Sequence, residues 1–259
     1  MDELKKVIQE YWQNNPCGTQ FGKNKEDIKQ YFSEIEEHRY SVEPFIHSFG
    51  QFTRWRGKRV LEVGVGAGTD HIQFGRAGAL VTGIDFTSAA TDLTKKRFEI
   101  EELESRLCQA DAEILPFRDG SFDFVYSWGV IHHTPDTQKA IDEIYRVCKT
   151  GGKVCIMIYH RYSVLTFALY LYYGLFRAKP FRTIRDVLSN HLESQGTKAY
   201  STREARRMFR KFKDIDIKLI LTPYDKNAVR PKIFRKMLSP ILNNLPSSLG
   251  FFMVVQGRK

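Results

Sequence analysis

The chain has 259 residues, 42% of them hydrophobic, with 40 basic and 30 acidic side chains and a net charge of +10. That is enough for one large domain, or one domain with a substantial insertion, around a real core. The start Met1-Asp2-Glu3-Leu4 leads into no apolar run, so no secretory leader is read. The longest apolar stretch, residues 164–176, is too short to cross a bilayer. Cys17, Cys108, Cys148 and Cys155 form no Cys-x-x-Cys pair, so no metal site is read and a cytoplasmic location is the simplest assignment.

Leu4, Val7, Ile8, Tyr11 and Trp12 recur at helical spacing, and Asn14-Asn15-Pro16-Cys17-Gly18 breaks that helix. A second helix is expected over residues 25–40 and a third over 42–49. Residues 1–57 therefore form a helical segment packed on or over the remainder of the chain. From residue 58 the chain alternates: strand 59–63, helix 69–76, strand 80–84, helix 88–103, strand 106–109, strand 122–126, helix 136–148 and strand 153–159, with Gly151-Gly152 ending the last helix. This rhythm predicts an α/β fold with a doubly wound, mostly parallel sheet. About forty residues, 160–200, then interrupt it, far more than a plain connection requires. They are expected to be a helical lid or substrate-binding insertion. A helix over 201–211, a strand over 215–221, a helix over 231–242 and a strand over 250–256 complete the chain.

The stretch Val60-Leu61-Glu62-Val63-Gly64-Val65-Gly66-Ala67-Gly68-Thr69 reads as a buried strand opening through a glycine turn into a helix. That is a nucleotide-type site, because glycine lets the backbone approach a ligand closely and helix N-termini favour such groups. A dinucleotide fingerprint needs a small residue where Thr69 stands, so NAD fits poorly. Glu62 opposes a polyanion and suits a cation or ammonium group. Asp85, ending the second strand, can accept hydrogen bonds from ribose hydroxyls, or cap the next helix. Asp111 follows the third strand, where a carboxylate can accept from an adenine amino group.

These motifs in this order resemble the class I S-adenosylmethionine (SAM)-dependent methyltransferases. The likeness rests on Glu62 to Gly68, Asp85, Asp111-Ala112-Glu113, Leu115-Pro116-Phe117 with Ser121-Phe122-Asp123, Val130-Ile131-His132-His133 and Gly151-Gly152. It covers residues 58–159 strongly and implies a seven-stranded Rossmann-like methyltransferase sheet with SAM as cofactor. The turn at Gly64, Gly66 and Gly68 would then contact the methionine part, Asp85 the ribose, Asp111 and Ala112 the adenine, and Ser127 the sulfonium end. The resemblance leaves the substrate open.

His132 and His133 are the candidate general bases, since histidine titrates near neutrality. As neighbours on a turn their side chains are expected to diverge, with one facing the cleft. Arg39 is a candidate for the SAM carboxylate if the first helices close over the site. Tyr159, His160 and Arg161 at the fifth strand's end are candidates to orient the acceptor. His191, with Glu193 and Tyr200, is a candidate of the same kind in the insertion. The expected function is direct methyl transfer to a small molecule. The alternatives are a macromolecule methyltransferase acting on RNA or protein, and a non-catalytic SAM-binding partner. Residues 203–213 are basic, but their apolar positions take one helix face, so the charges read as solvated surface rather than a nucleic-acid platform. The 164–176 stretch is compatible with peripheral membrane contact. The oligomeric state is not legible.

Overall fold

The computed structural model describes residues 3–175, 177, 181–227 and 244–259. Strands β1 (Arg59–Val63), β2 (Leu80–Asp85), β3 (Arg106–Gln109), β4 (Phe122–Trp128) and β5 (Cys148–His160) run parallel. Strand β7 (Lys213–Ile220) and the last strand, β8 (Phe252–Arg258), close the sheet, and β8 runs antiparallel to both β5 and β7. The order is β3-β2-β1-β4-β5-β8-β7, so the chain winds outward from β1 in one direction and returns through β4 in the other. The crevice above β1 and β4 is the topological switch point where open α/β sheets bind ligands.

An eighth strand, β6 (Ala199–Tyr200), goes beyond the seven expected. It pairs parallel with Tyr159 and His160 of β5. At Tyr159 the other edge of β5 is taken by Phe252, and β4 last pairs at Met157. Thus β6 continues the lane that β4 leaves. The double glycine also behaves differently from the sequence reading. Helix α6 (Thr137–Val147) already stops before Cys148, and β5 runs through Gly151 and Gly152, where its pairing with β4 shifts register. A Cβ on Gly152 would stand 2.8 Å from the Cys148 sulfur, so this close turn needs glycine.

Alternation along the strands sorts the core onto two faces. Val60, Phe124, Tyr126 and Trp128 join one buried cluster; Leu61, Val63, Val125 and Ile156 join the other. Trp55, just before β1, stacks on Phe124 with ring centroids 4.0 Å apart. Helices α4 (Thr69–Arg76) and α5 (Ser88–Ile100) follow β1 and β2. The insertion holds α7 (Val164–Tyr170), a π-helical turn at Leu171–Leu175, α8 (Ile184–His191) and β6, and leads into α9 (Thr202–Met208). The expected helix over 231–242 lies outside the described residues.

Ahead of the sheet stand α1 (Glu3–Asn14), α2 (Ile28–Val42) and α3 (Ile46–Gly50). Asp27 caps α2 by accepting from the Lys29 and Gln30 amides. One buried carboxylate fixes α2 to the sheet. Asp70, at the start of α4, accepts from Arg39 Nη2 at 2.9 Å, Tyr40 Oη at 3.0 Å and Tyr126 Oη at 2.9 Å. Glu43, the residue that ends α2, accepts from Trp128 Nε1 at 2.9 Å and from Arg39 Nη1 at 3.4 Å. Both carboxylates are almost fully buried. Burial alone would lower the Arg39 pKa, but Asp70 and Glu43 hold it well above the ordinary arginine value. A second tie joins buried Arg97 of α5 to Glu36 of α2, with Arg97 also over the Phe32 ring.

Removing one partner of a buried, hydrogen-bonded charge leaves the others unsatisfied. Asp70→Ala should therefore cost about 3–5 kcal/mol of unfolding free energy, read from urea unfolding monitored by far-UV circular dichroism. A loss below about 1 kcal/mol, the surface-pair range, would show that the network does not anchor α2.

Candidate active site

A cavity of about 330 Å³ lies over the carboxyl ends of the strands, a size suited to a small molecule or cofactor. Its floor is the turn after β1. Gly64 (φ 84°) and Gly66 (φ 53°) hold left-handed conformations there. A Cβ on Gly64 would meet Val130 Cγ2 at 2.2 Å, and one on Gly66 would come within 3.3 Å of the Cys17 Cβ. The floor is thus bare backbone that only glycine can supply. Gly68 caps α4 in the same conformation but is not among the residues lining the cavity.

At one end, Asp85 accepts from the Gly66 amide at 3.1 Å and from the Thr87 amide and hydroxyl at 3.0 and 2.9 Å. Asp85 does not itself cap α5: it steadies Thr87, which does, and its carboxylate lines the cavity. Burial pushes its pKa up, against these hydrogen bonds. Asp111 and Ala112 line the same end. The Asp111 carboxylate is not free, however. Lys5 of α1 bonds it at 2.5 Å and reaches Glu113 at 2.6 Å. Gln9 of α1 donates to the Phe86 carbonyl, so α1 lies across this end of the crevice. This bare-backbone cradle beside a ribose-level carboxylate fits an adenosyl cofactor.

Glu62 borders the cavity, but one carboxyl oxygen is turned away, 3.0 Å from His71 Nδ1. His71 Nε2 meets Ser105 Oγ at 2.8 Å. Burial pushes the His71 imidazole down to about 3 and the Glu62 carboxyl well above its ordinary range. That hydrogen bond takes one Glu62 oxygen away from the cavity. Arg39 also borders the cavity, with its guanidinium already shared between Asp70 and Glu43.

The far end is built by β4, β5, β8 and the insertion. Tyr159 Oη donates to Glu193 Oε2 at 2.8 Å, and His133 Nε2 lies 3.3 Å from the same oxygen. The Thr197 hydroxyl is spent on the Ser194 carbonyl, and His133 Nδ1 lies 3.0 Å from both Thr197 Oγ1 and Ser194 Oγ. Nε2 faces the Glu193 carboxylate. Glu193 follows the C-cap of α8 and is held at φ 51°, a strained position for a residue with a side chain. Its side chain keeps 38% of its surface accessible and lines the cavity. Crowding by protein raises its pKa, and His133 and Tyr159 outweigh that, leaving it below the ordinary glutamate value. No local motif ranks Glu193 above the other polar residues of the insertion.

The histidine pair does not diverge as expected: the rings are 4.3 Å apart. His133 lines the cavity and His132 does not. His132 is fully buried, with neither ring nitrogen hydrogen-bonded, and packs on Tyr159. Burial, then His133 and Lys198, drive its pKa well below the ordinary value, so it is a neutral core residue. His132, His133 and Glu193 nevertheless bring three ligand-capable atoms within 4.8 Å of one another. Other sequence candidates are structural. Ser127 is buried and donates to the Val63 carbonyl at 3.0 Å, beneath the cavity. His160 Nδ1 bonds the Gly250 carbonyl, and Arg161 bonds the Ala199 carbonyl and Glu204. His191 stacks on Tyr173 and meets Arg182. The Tyr200 hydroxyl donates to Thr137 Oγ1. None of these five lines the cavity.

Residues 61–156 match the family of methyltransferase domains. Phosphoethanolamine N-methyltransferase 2 of Caenorhabditis elegans is 39% identical over 117 residues, 44% of this chain and 26% of that protein. A demethylmenaquinone methyltransferase of Thermus thermophilus is 34% identical over 139 residues, 49% of this chain and 63% of that protein. The chain thus spans less than two thirds of the length of these curated relatives. Among solved structures, phosphoethanolamine N-methyltransferase 2 of Haemonchus contortus, in complex with phosphomonomethylethanolamine and S-adenosylhomocysteine, superposes with a TM-score of 0.60 at 17% identity. That alignment covers 97% of this chain and 60% of the other, and speaks to the fold. The matched domain spans β1 to β5 and leaves out α1, α2 and the insertion, which close the cavity.

This geometry has two measurable outcomes. Gly66→Ala places a methyl group on the cavity floor and should weaken S-adenosylhomocysteine binding about tenfold or more, for a stability loss of about 1 kcal/mol. Calorimetric titration and thermal melts check this; unchanged affinity would remove Gly66 from the cradle. For His132, the folded pKa lies below the unfolded value of 6.5. Its contribution is therefore fully present above that pH and is lost as the unfolded chain takes a proton the folded chain refuses. Relative to His132→Leu, the native chain should lose up to about 1.4 kcal/mol per pH unit below pH 6.5. Urea unfolding at pH 7, 6 and 5 measures it, and parallel profiles would refute it.

Proposed function

We propose that this chain, which belongs to the class I SAM-dependent methyltransferases, transfers the SAM methyl group directly to a small-molecule acceptor. The observation that carries this reading is the continuity of one cavity. It runs from Asp85 and Asp111 past the glycine floor to Tyr159, His133 and Glu193. Cofactor and acceptor can therefore lie end to end over the switch point.

Bound SAM supplies a methyl carbon already activated by its sulfonium, so the protein's task is alignment and proton removal. Gly64 and Gly66 let the backbone approach the methionine portion, and Asp85 accepts from the ribose. Asp111, paired with Lys5, borders the adenine side. Trp128, Met157 and Phe252 form apolar walls that exclude water from the acceptor. Glu193 is the accessible group at that end. Behind it, His133 Nε2 has less than 1 Å² of accessible surface, so a proton reaches His133 through Glu193. The His133–Glu193 pair then holds that proton as an ion pair.

We read residues 1–57 as a cap over the site and residues 160–200 as the acceptor-side insertion of the domain that starts at residue 58. A small acceptor suits this enclosure better than RNA, whose phosphates would face the carboxylates of the cavity. Among the described residues no helix is long and apolar enough to cross a membrane. Tyr162, Phe167, Tyr172 and Phe181 are exposed in the insertion, and peripheral membrane contact would rest on them.

The test is transfer of labelled methyl from SAM to fractionated cell extract. With the acceptor fraction in hand, His133→Gln should lower kcat about 100-fold while leaving the S-adenosylhomocysteine dissociation constant within about twofold. An unchanged kcat would remove His133 from the proton route.

A further inference from the structure

The protein carries a net charge of +10, yet its cavity has the opposite sign. Among the described residues six carboxylates line it, Glu43, Glu62, Asp70, Asp85, Asp111 and Glu193, against one lysine and one arginine. Both cations are already engaged. Lys5 is held by Asp111 and Glu113, and Arg39 by Asp70 and Glu43. Glu62 is held by His71. Asp85 belongs to the cofactor end. One carboxylate is left at the acceptor end, Glu193, which is accessible, ionised and held by a strained backbone.

The walls around it are aromatic. Trp12, Trp128, Tyr159, Tyr224 and Phe252 line the cavity. Trp12 packs edge-on against His133 at 5.1 Å, and Tyr159 stacks on Phe251 at 4.1 Å. Among the described residues no lysine or arginine other than Arg39 and Lys5 reaches the cavity, so a phosphate or carboxylate on the acceptor would find no free cation among them. A carboxylate among aromatic faces is the environment that stabilises an ammonium group, through charge-assisted hydrogen bonds and cation–π attraction.

We infer that the methyl acceptor is a cationic amine, seated with its ammonium nitrogen on Glu193 between the aromatic walls. This rests on the methyltransferase reading. The amine binds protonated and gives one N–H proton to Glu193, from which it passes to His133. The freed nitrogen lone pair forms the new N–C bond, and the carbon–sulfur bond breaks with its electron pair kept by sulfur. The products are the methylated ammonium and S-adenosylhomocysteine, with the proton on His133 returned to solvent. The same arrangement selects against acceptors that carry an anionic group.

The test uses the full chain with S-adenosylhomocysteine bound and matched probes: phenethylamine and tryptamine, each beside the alcohol and the carboxylic acid of the same skeleton. Binding is read by calorimetric titration, and methyl transfer from labelled SAM. The amines should bind about tenfold or more tightly than the alcohols, and the acids should bind weakest. Glu193→Gln should weaken amine binding about tenfold, with alcohol and S-adenosylhomocysteine affinities held within about twofold. Acids or alcohols that bind as tightly as the amines, a chain that binds no amine, or an amine affinity indifferent to Glu193→Gln would overturn the assignment. Loss of S-adenosylhomocysteine binding in the native chain would instead count against the methyltransferase reading.

Discussion

The Asp70 carboxylate holds the functional half of this molecule together. It sits at the start of α4, directly after the glycine turn, and takes hydrogen bonds from Arg39 and Tyr40 of α2 and Tyr126 of β4. A buried carboxylate costs several kcal/mol unless its lone pairs are met. Here three donors from two elements meet it, and their convergence sets where α2 must lie. With α2 placed, Arg39 and Glu43 border the cavity and the break at residues 15–18 brings Cys17 over Gly66. The placing of α2 over the glycine turn is thus specified electrostatically rather than by apolar packing alone.

The same constraint explains which parts of the site are legible in the residues. Strand ends and turns are local, so the gathering of Gly64, Gly66, Asp85 and Ala112 around one crevice can be read from spacing and order. The β1-to-β5 core follows from hydrophobic alternation. The partners of the charged candidates are not local. Nothing in the spacing says that Lys5 covers Asp111, 106 residues away, or that Arg39 is shared by Asp70 and Glu43. Ser127 matches a motif position but points beneath the cavity. In the insertion the sequence offers His191, Glu193 and Tyr200 alike, whereas the cavity is met by Glu193, just past the end of α8. Helical registry decides between residues two apart, and only the folded end of α8 fixes it.

The two ends of the cavity have different origins. The end at Asp85 and Asp111 is made by the part of the chain that matches the methyltransferase domain family. The opposite end borrows Tyr159 from the sheet and takes Trp12 from α1, Glu193 from the insertion and Tyr224 from α10 (Pro223–Asn227). Its chemistry is therefore a property of how separate segments converge. The contrast between a basic exterior and an acidic interior has the same origin: the interior cations are consumed in pinning helices, while the exterior ones meet water.

Strand β6 is only two residues long, yet it guards a vulnerable edge. A strand that outruns its neighbour leaves bare amides and carbonyls, and bare strand backbone recruits other strands. Beyond Met157, β5 would show such an edge at the lip of the crevice. Ala199 and Tyr200 seal it. The insertion is therefore a plug for an otherwise sticky rim, and trimming it would cost solubility as well as whatever the crevice selects.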